Sequence, residues 1–98
     1  MINQFGKMIR DLRNINHLRQ KNVAEIIGID TPLLCKIEKG ERVAKRDIIP
    51  RLAEILNTKE DALIVVWLAD QLIHIIKDEN NALEAISYVK ELVQVEKN

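Results

Sequence analysis

The side chains best suited to chemistry in this chain are cations that flank a short apolar segment. Lys and Arg bind phosphate oxygens through charge and hydrogen bonds. Residues 1–57 hold eleven Lys/Arg against seven Asp/Glu, a balance of +4, whereas residues 58–98 hold four against eight, a balance of −4. A net charge of zero therefore conceals a basic half, which is typical of a protein that meets a polyanion through one face. The cations nearest the apolar segment are Arg19, Lys21, Lys36, Lys39, Arg42, Lys45 and Arg46.

The side chains that enzymes use as nucleophiles and bases are few and scattered. Ser87 is the only serine, Thr31 and Thr58 are the only threonines, and none lies in a recognisable nucleophile motif. His17 and His74 have no Cys or paired carboxylates at metal-ligand spacing. The sequence also lacks a glycine-rich loop for a nucleotide phosphate. It therefore favours neither an enzyme nor a metal or cofactor site.

Cysteine usage and hydropathy indicate the compartment. Cys35 is the only cysteine, so an internal disulfide is excluded and a reducing interior is expected. The first twelve residues lack the long apolar core of a secretory signal. The most apolar run, residues 62–69, is far shorter than the ~20 residues that span a bilayer. We therefore expect a cytoplasmic protein with no membrane partner.

The first element that positions the cations is a short amphipathic helix beginning at Gln20. Val23, Ala24 and Ile27 fall on one side of a helix, which is the stripe of a helix that buries one face. Gly28 follows the stripe, and glycine accepts the left-handed conformation that ends a helix. Small Ala24 leaves room for a close crossing by a second helix. The pattern predicts a helix from Gln20 to about Ile27.

A second short helix is predicted from about Thr31 to Gly40. Asp30 and Thr31 are favourable N-cap residues, and Pro32 suits a first helical position because no backbone donor is needed there. Leu34 and Ile37 supply its apolar stripe. Two helices separated by three or four residues form a helix-turn-helix.

This segment resembles the helix-turn-helix of Cro and phage-repressor-type regulators, also called the xenobiotic-response-element family. The resemblance continues through FGKMIRDLR (5–13) and RLAEILN (51–57), and so covers roughly the first 57 residues. It implies an all-α, lambda-repressor-like, five-helix DNA-binding domain that usually acts as a dimeric transcriptional regulator. The residues that carry it are Gln20, Ala24, Gly28, Ile29, Leu34, Ile37, Glu38 and Gly40.

The resemblance implies that the third helix enters the major groove of double-stranded DNA. At the positions that match the family's third helix, the residues expected to contact bases are Thr31, Pro32, Leu33 and Lys36. A cation such as Lys36 can donate to guanine O6 and N7. Pro32 and Leu33 offer no hydrogen bond to a base edge. Few side chains of this helix can therefore read the base sequence directly. Either the shape of the operator or the loop after Gly40 then contributes selectivity.

Phosphate contacts are expected around the same helix. Gln20 begins helix 2, where free backbone N–H groups and the positive end of the helix dipole attract anions. Cys35 takes a position often filled by serine in the family, either as a passive small residue or as a redox switch. The full predicted set is Arg19, Gln20, Lys21, Cys35, Lys39, Arg42, Lys45 and Arg46. The family also implies a partly buried structural ion pair between Arg13 and Glu38.

Four further helices complete the prediction. Helix 1 runs from about Asn3 to Asn14. Helix 4 is capped by Asp47 and ends at Asn57. Helix 5 spans about 59–77 and helix 6 about 79–96, with possible capping boxes at Thr58 with Asp61 and at Asn81 with Glu84. The expected division is a helix-turn-helix core at 1–57 and a C-terminal extension at 58–98 within one continuous compact domain.

Helix 5 is apolar on nearly every side, so it must be covered on nearly every side. The amino-terminal core covers one face and helix 6 another, and a second copy of the chain covers the rest. This reasoning predicts a homodimer. The residues expected in its interface are Leu63, Val66, Trp67, Ile73, Ile86 and Val89.

Several biological roles agree with these features. A restriction-modification controller, a prophage repressor and an antitoxin are all compatible with a small dimeric regulator. Asp11, Glu25 and Glu54 are most simply solvated faces, although an acidic patch on helix 2 could touch RNA polymerase in an activator. The alternative from another class is a protein-interaction module whose apolar helix 5 captures a different partner.

Overall fold

Six α-helices make up the fold of the computed structural model, which describes residues 2–98. Over that range no strand is present, and the predicted all-α class is confirmed. A single 3₁₀ turn at Arg46–Ile48 leads into the fourth helix. In chain order the helices are α1 (Gln4–Ile15), α2 (Gln20–Ile27), α3 (Thr31–Lys39), α4 (Ile49–Ile55), α5 (Glu60–Ile76) and α6 (Ala82–Lys97).

The hydrophobic core lies between α1, α2, α3, α4 and the first turn of α5. Within α5 only Leu63 is fully buried, so the core extends just past the predicted division after residue 57. We call residues 2–64 the headpiece. Its buried apolar side chains are Phe5, Ile9, Val23, Ala24, Ile27, Leu34, Ile37, Ala44, Ile49, Leu52, Ala53, Leu56 and Leu63.

The start of α1 is held in place by Asn3. Its Oδ1 accepts a hydrogen bond from the Gly6 N–H at 3.0 Å, which caps the helix. Its Nδ2 donates to the Glu38 carbonyl at 2.8 Å, near the end of α3. One side chain therefore caps α1 and ties it to α3.

The predicted caps of α4 and α5 are wrong. Asp47 lies inside the 3₁₀ turn, and the N-cap position of α4 is Ile48, which has no side-chain capping bond. Lys59 takes the N-cap position of α5, again without a side-chain bond, so the Thr58 and Asp61 capping box is not formed. At both sites a tight backbone turn leads into the helix, so that the candidate side chain is not at the N-cap position.

The sixth helix begins later than predicted. The expected start was residue 79, but a backbone turn closes there, with the Glu79 N–H donating to the Ile76 carbonyl at 3.0 Å. The helix proper begins at Ala82. Asn81 is its N-cap residue but makes no side-chain capping bond, so the capping box with Glu84 is also not formed.

The second half of α5 and all of α6 form what we call the distal arm, residues 65–98. No side chain of α6 is buried. An open apolar groove lies between the end of α5 and the start of α6, lined by Leu72, Ile75, Ile76, Ala85, Ile86 and Val89. None of the helices within residues 2–98 combines the length and the apolar character needed to cross a bilayer.

The α5 residues predicted to form the dimer interface are not the ones that the structure exposes. For Leu63 the prediction is wrong, because this side chain is 0% exposed and lies in the core of its own chain. Val66 and Trp67 also pack against that core, and Ile73 is half-buried. Ile86 and Val89 of α6 are exposed, so both are accessible to another chain.

A different row of α5 side chains faces outward. Val65, Leu68, Leu72 and Ile75 are between 44% and 73% exposed. They follow one another at intervals of three, four and three residues, the spacing of a coiled-coil seam. We call these four residues the seam. Periodicity alone missed it because α5 is apolar around most of its circumference.

Candidate nucleic-acid interface

The helix-turn-helix has the predicted bounds. Gly28 ends α2 with φ +79°, and its N–H donates to the Ala24 carbonyl at 3.0 Å. Asp30 caps α3, with its Oδ1 accepting from the Leu33 N–H at 2.7 Å. Two helices are thus joined by the three residues 28–30, which fixes the direction in which α3 presents its side chains.

The predicted base-contacting residues of α3 differ in exposure. Pro32 and Lys36 are exposed, whereas Thr31 and Leu33 are half-buried. Leu33 packs partly against the core, so less of its side chain is available to a ligand. Lys36 is therefore the exposed hydrogen-bond donor among the four.

The start of α2 has free backbone donors. Within the described residues no side chain caps this helix, whose N-cap residue is Arg19. The side chain of Gln20 donates instead to Glu38 Oε1 at 3.0 Å. Gln20 can therefore meet an anion through its backbone N–H, which lies at the positive end of the helix dipole.

A hydrogen-bonded ion pair between Arg13 and Glu38 holds α2 and α3 against α1. Arg13 Nε lies 2.9 Å from Glu38 Oε2, and Arg13 Nη2 lies 3.0 Å from Glu38 Oε1. A third donor, Arg13 Nη1, reaches the Leu18 carbonyl at 3.0 Å. The Glu38 side chain is only 3% exposed, so its charge depends on these donors together with Gln20. The network joins α1, the start of α2 and α3.

The predicted phosphate-binding cations are mostly unpaired. Over residues 2–98 the only salt bridge joins Arg13 and Glu38. Arg46 is exposed and lies over the ring of Trp67, with its guanidinium carbon 5.8 Å from the ring centroid. Cys35 is a half-buried free thiol. All the predicted DNA-contacting cations are exposed and have no carboxylate partner within residues 2–98: Arg19, Lys21, Lys36, Lys39, Arg42, Lys45 and Arg46.

Two contacts between α5 and the headpiece were not predicted from the sequence. Trp67 Nε1 donates to the Ala44 carbonyl at 2.8 Å. Asp70 accepts from the backbone N–H groups of Gln4 and Phe5 at 3.0 and 2.8 Å. The available signal was that Asp70 is the only acidic residue between Asp61 and Asp78 and directly follows the apolar run 62–69.

The site has the means to bind an anion and few means for other chemistry. In the part of the chain that the structure describes, no group of three or more His, Cys, Asp or Glu side chains is placed to hold a metal ion. The arrangement offers exposed cations, free N–H groups at the start of α2 and the exposed side chain of Lys36 on α3.

The fold and the site define an all-α protein built on a helix-turn-helix. A family model described as "Helix-turn-helix domain" matches residues 6–66, more than half of the chain. The chain belongs to this family. The match ends within α5, so most of the seam and all of α6 lie beyond it.

Related proteins carry regulatory names. The chain is 34% identical over 59 residues to "Uncharacterized HTH-type transcriptional regulator YazB" of Bacillus subtilis, covering 60% of this chain and 86% of that protein. It is 33% identical over 60 residues to "Control protein C.SmaI" of Serratia marcescens, covering 61% and 71%. The HTH-type regulator Rv0474 of Mycobacterium tuberculosis is 30% identical over 60 residues, and there the match spans only 43% of the relative.

Proposed function

We propose that this protein is a sequence-specific, double-stranded DNA-binding transcriptional regulator that acts as a homodimer. The observation that carries the proposal is that α3 exposes Lys36, while exposed cations without a carboxylate partner precede and follow the helix in the chain. Arg19 and Lys21 flank the uncapped start of α2, and Lys39 and Arg42 follow the end of α3. Family membership and the regulatory names of the relatives support the same function.

In this proposal phosphate contacts supply most of the affinity. The free N–H groups at the start of α2 and the cations around α3 bind phosphates on either side of the groove. Each phosphate that a cation neutralises releases counterions, so the logarithm of the affinity should fall linearly with the logarithm of salt concentration. The Arg13 and Glu38 pair orients the two helices without contacting DNA.

Base reading depends mainly on Lys36. It is the exposed donor on α3, and a cation at this position can donate to guanine O6 and N7. Thr31 donates to a base or a phosphate, while Pro32 and Leu33 offer apolar contact to a thymine methyl. Since these contacts are few, operator shape and deformability supply part of the selectivity.

Dimerisation is assigned to the distal arm. The seam and α6 together leave eleven large apolar side chains at least 44% exposed. Side chains of this size present on the order of 1,000 Å² per chain, which exceeds the largest apolar patch of a typical monomer and is comparable with one side of a standard interface. A two-fold axis along the seam gives two α3 helices, which read pseudo-palindromic half-sites about one helical turn, ~34 Å, apart.

The regulatory role we favour is control of a nearby promoter, including the protein's own. The resemblance to a protein named as a control protein supports a restriction-modification controller as one form of that role. Asp11, Glu25 and Glu54 are exposed and lie on the headpiece, where RNA polymerase could be contacted.

The test is a gel shift with random duplex DNA across a salt series. The expected result is binding at low salt that weakens steeply as salt increases, followed by recovery of a preferred sequence from the bound fraction. The same series is measured for a variant with Lys39 and Arg42 replaced by Gln. This variant should bind more weakly than the wild type, and its affinity should depend less steeply on salt. A folded protein that binds no duplex at low salt would reject the proposal.

The second candidate is a protein-interaction module or antitoxin, and the uncovered distal arm is the observation that favours it. In that case the arm binds a different protein and the basic face is not used. Sedimentation of the isolated chain separates the two functions. A dimer that binds DNA supports the regulator, whereas a monomer that binds no DNA supports the module.

A further inference from the structure

Two side chains of α5 bind the headpiece, and they lie about one helical turn apart on the side of α5 that faces it. Trp67 reaches the loop between α3 and α4, and Asp70 reaches the start of α1. Neither residue belongs to the seam. We call this pair the latch.

Trp67 holds the centre of the loop that carries predicted phosphate contacts. Its Nε1–H donates to the Ala44 carbonyl at 2.8 Å, and the Ala44 side chain is 3% exposed in the core. The same ring lies beneath the guanidinium of Arg46, 5.8 Å from centroid to carbon, which is within the range of a cation–π interaction. Both the backbone and one cation of this loop are therefore fixed relative to α5.

Asp70 fixes α1, and through it the end of α3. Its two carboxylate oxygens accept from the first N–H groups of α1, at Gln4 and Phe5. A carboxylate at this end of a helix is also favoured by the helix dipole. Asn3, the N-cap of α1, in turn donates to the Glu38 carbonyl of α3 at 2.8 Å. The chain of contacts thus runs from α5 through α1 to α3.

We infer that Trp67 and Asp70 determine the half-site spacing that the dimer accepts. This inference rests on the proposed function. Because α5 pairs with its copy along the seam, the angle between α5 and α3 sets the distance and rotation between the two α3 helices. The latch fixes that angle at two points on the headpiece side of α5. A dimer with a loosened latch tolerates a wider range of spacings, while each headpiece still binds its half-site.

The experiment uses an operator selected from random duplexes by the full wild-type chain. Duplexes are then made with one or two base pairs added or removed between the half-sites. One base pair rotates a half-site by about 34° and moves it by about 3.4 Å. Affinity across this series is measured for the wild type, Trp67→Phe and Asp70→Ala. Asp61→Ala is the control, because it removes an exposed acid from the same helix.

The expected result is a narrow spacing profile for the wild type and the control. A change of one base pair should weaken their binding by about tenfold, and that of the two latch variants by about threefold or less. Trp67→Phe removes the N–H donor and the larger indole surface but keeps an aromatic ring against the core, so it tests the latch in a folded protein. Circular dichroism and sedimentation confirm the fold and the dimer.

Three outcomes count against the inference. Latch variants whose profiles coincide with that of the wild type would overturn it. A loss of affinity equal at every spacing would overturn it as well, since that is the effect of lowered stability alone. A wild-type chain that selects no duplex would overturn the proposed function itself, and the inference with it.

Discussion

The headpiece and the distal arm are both rich in apolar side chains but place them in opposite ways. Over residues 2–98, all thirteen buried apolar side chains lie at or before Leu63, and no side chain from residue 65 onward is fully buried. The headpiece has a core of its own. The arm has the composition of a core without the packing, although most of the stability of a helix in a protein comes from packing of its apolar face. The difference supports the proposal that a second copy of the chain completes the arm.

The largest effect is expected from charges placed in the seam. Leu68→Asp combined with Leu72→Asp would bury two unpaired carboxylates in the dimer. Each should weaken association by at least ~100-fold, about 3 kcal/mol, because an unpaired charge is costly to desolvate. Sedimentation equilibrium measures the dimer dissociation constant. The control is Ile15→Asp, which changes an equally apolar side chain, 69% exposed, on the headpiece. If the double variant remains a dimer of wild-type affinity, the arm is not the interface.

The next effect concerns the headpiece alone. Arg13→Ala leaves Glu38 buried with Gln20 as its only remaining side-chain donor. Removing one partner of a buried pair lowers the free energy of unfolding by about 3–5 kcal/mol. Urea titration at fixed protein concentration measures the loss, with exposed Arg10→Ala as a control near zero. A loss below about 1 kcal/mol would show that the pair is not needed to hold the two helices.

These two regions also differ in how far the sequence predicts them. The helix-turn-helix bounds followed from local signals: Gly28 ends one helix, and Asp30 with Pro32 begins the next. Such signals act over a few residues, so a sequence displays them directly. The approach of Arg13 to Glu38 came from the family resemblance, since no local pattern joins residues 25 apart.

The arm was harder to predict because its helix is apolar on most sides. Periodicity identifies a buried face only when another face is polar. In α5 the choice between Leu63 and Val65 as the inward residue is made by long-range contacts, such as Trp67 to Ala44 and Asp70 to the start of α1. The predicted capping boxes failed for a related reason, since a backbone turn can take the place of a side-chain cap.

A smaller and more selective effect separates base reading from phosphate binding. Lys36→Ala should cost about 1–3 kcal/mol on the preferred sequence and relax the preference at one position. Arg42→Ala should weaken binding to all sequences about equally and flatten the salt slope by about one unit. Competition binding with selected and scrambled duplexes at several salt concentrations measures both. If the two variants behave alike, the division of roles between α3 and the following loop is wrong.

The smallest effect compares the two glycines that end α2 and α3. Gly28 and Gly40 both have φ +79°. Replacing either with Ala should lower the free energy of unfolding by about 1 kcal/mol, because a side chain disfavours the left-handed conformation. A Cβ at Gly28 meets open space, whereas one at Gly40 lies 2.8 Å from Cγ of Asn3. Asn3 caps α1 and holds the Glu38 carbonyl, so moving it weakens two further hydrogen bonds. Gly40→Ala should therefore cost about 1 kcal/mol more than Gly28→Ala in urea titration. Equal costs would mean that Asn3 shifts freely, and that its link from α1 to α3 does not hold α3 in place.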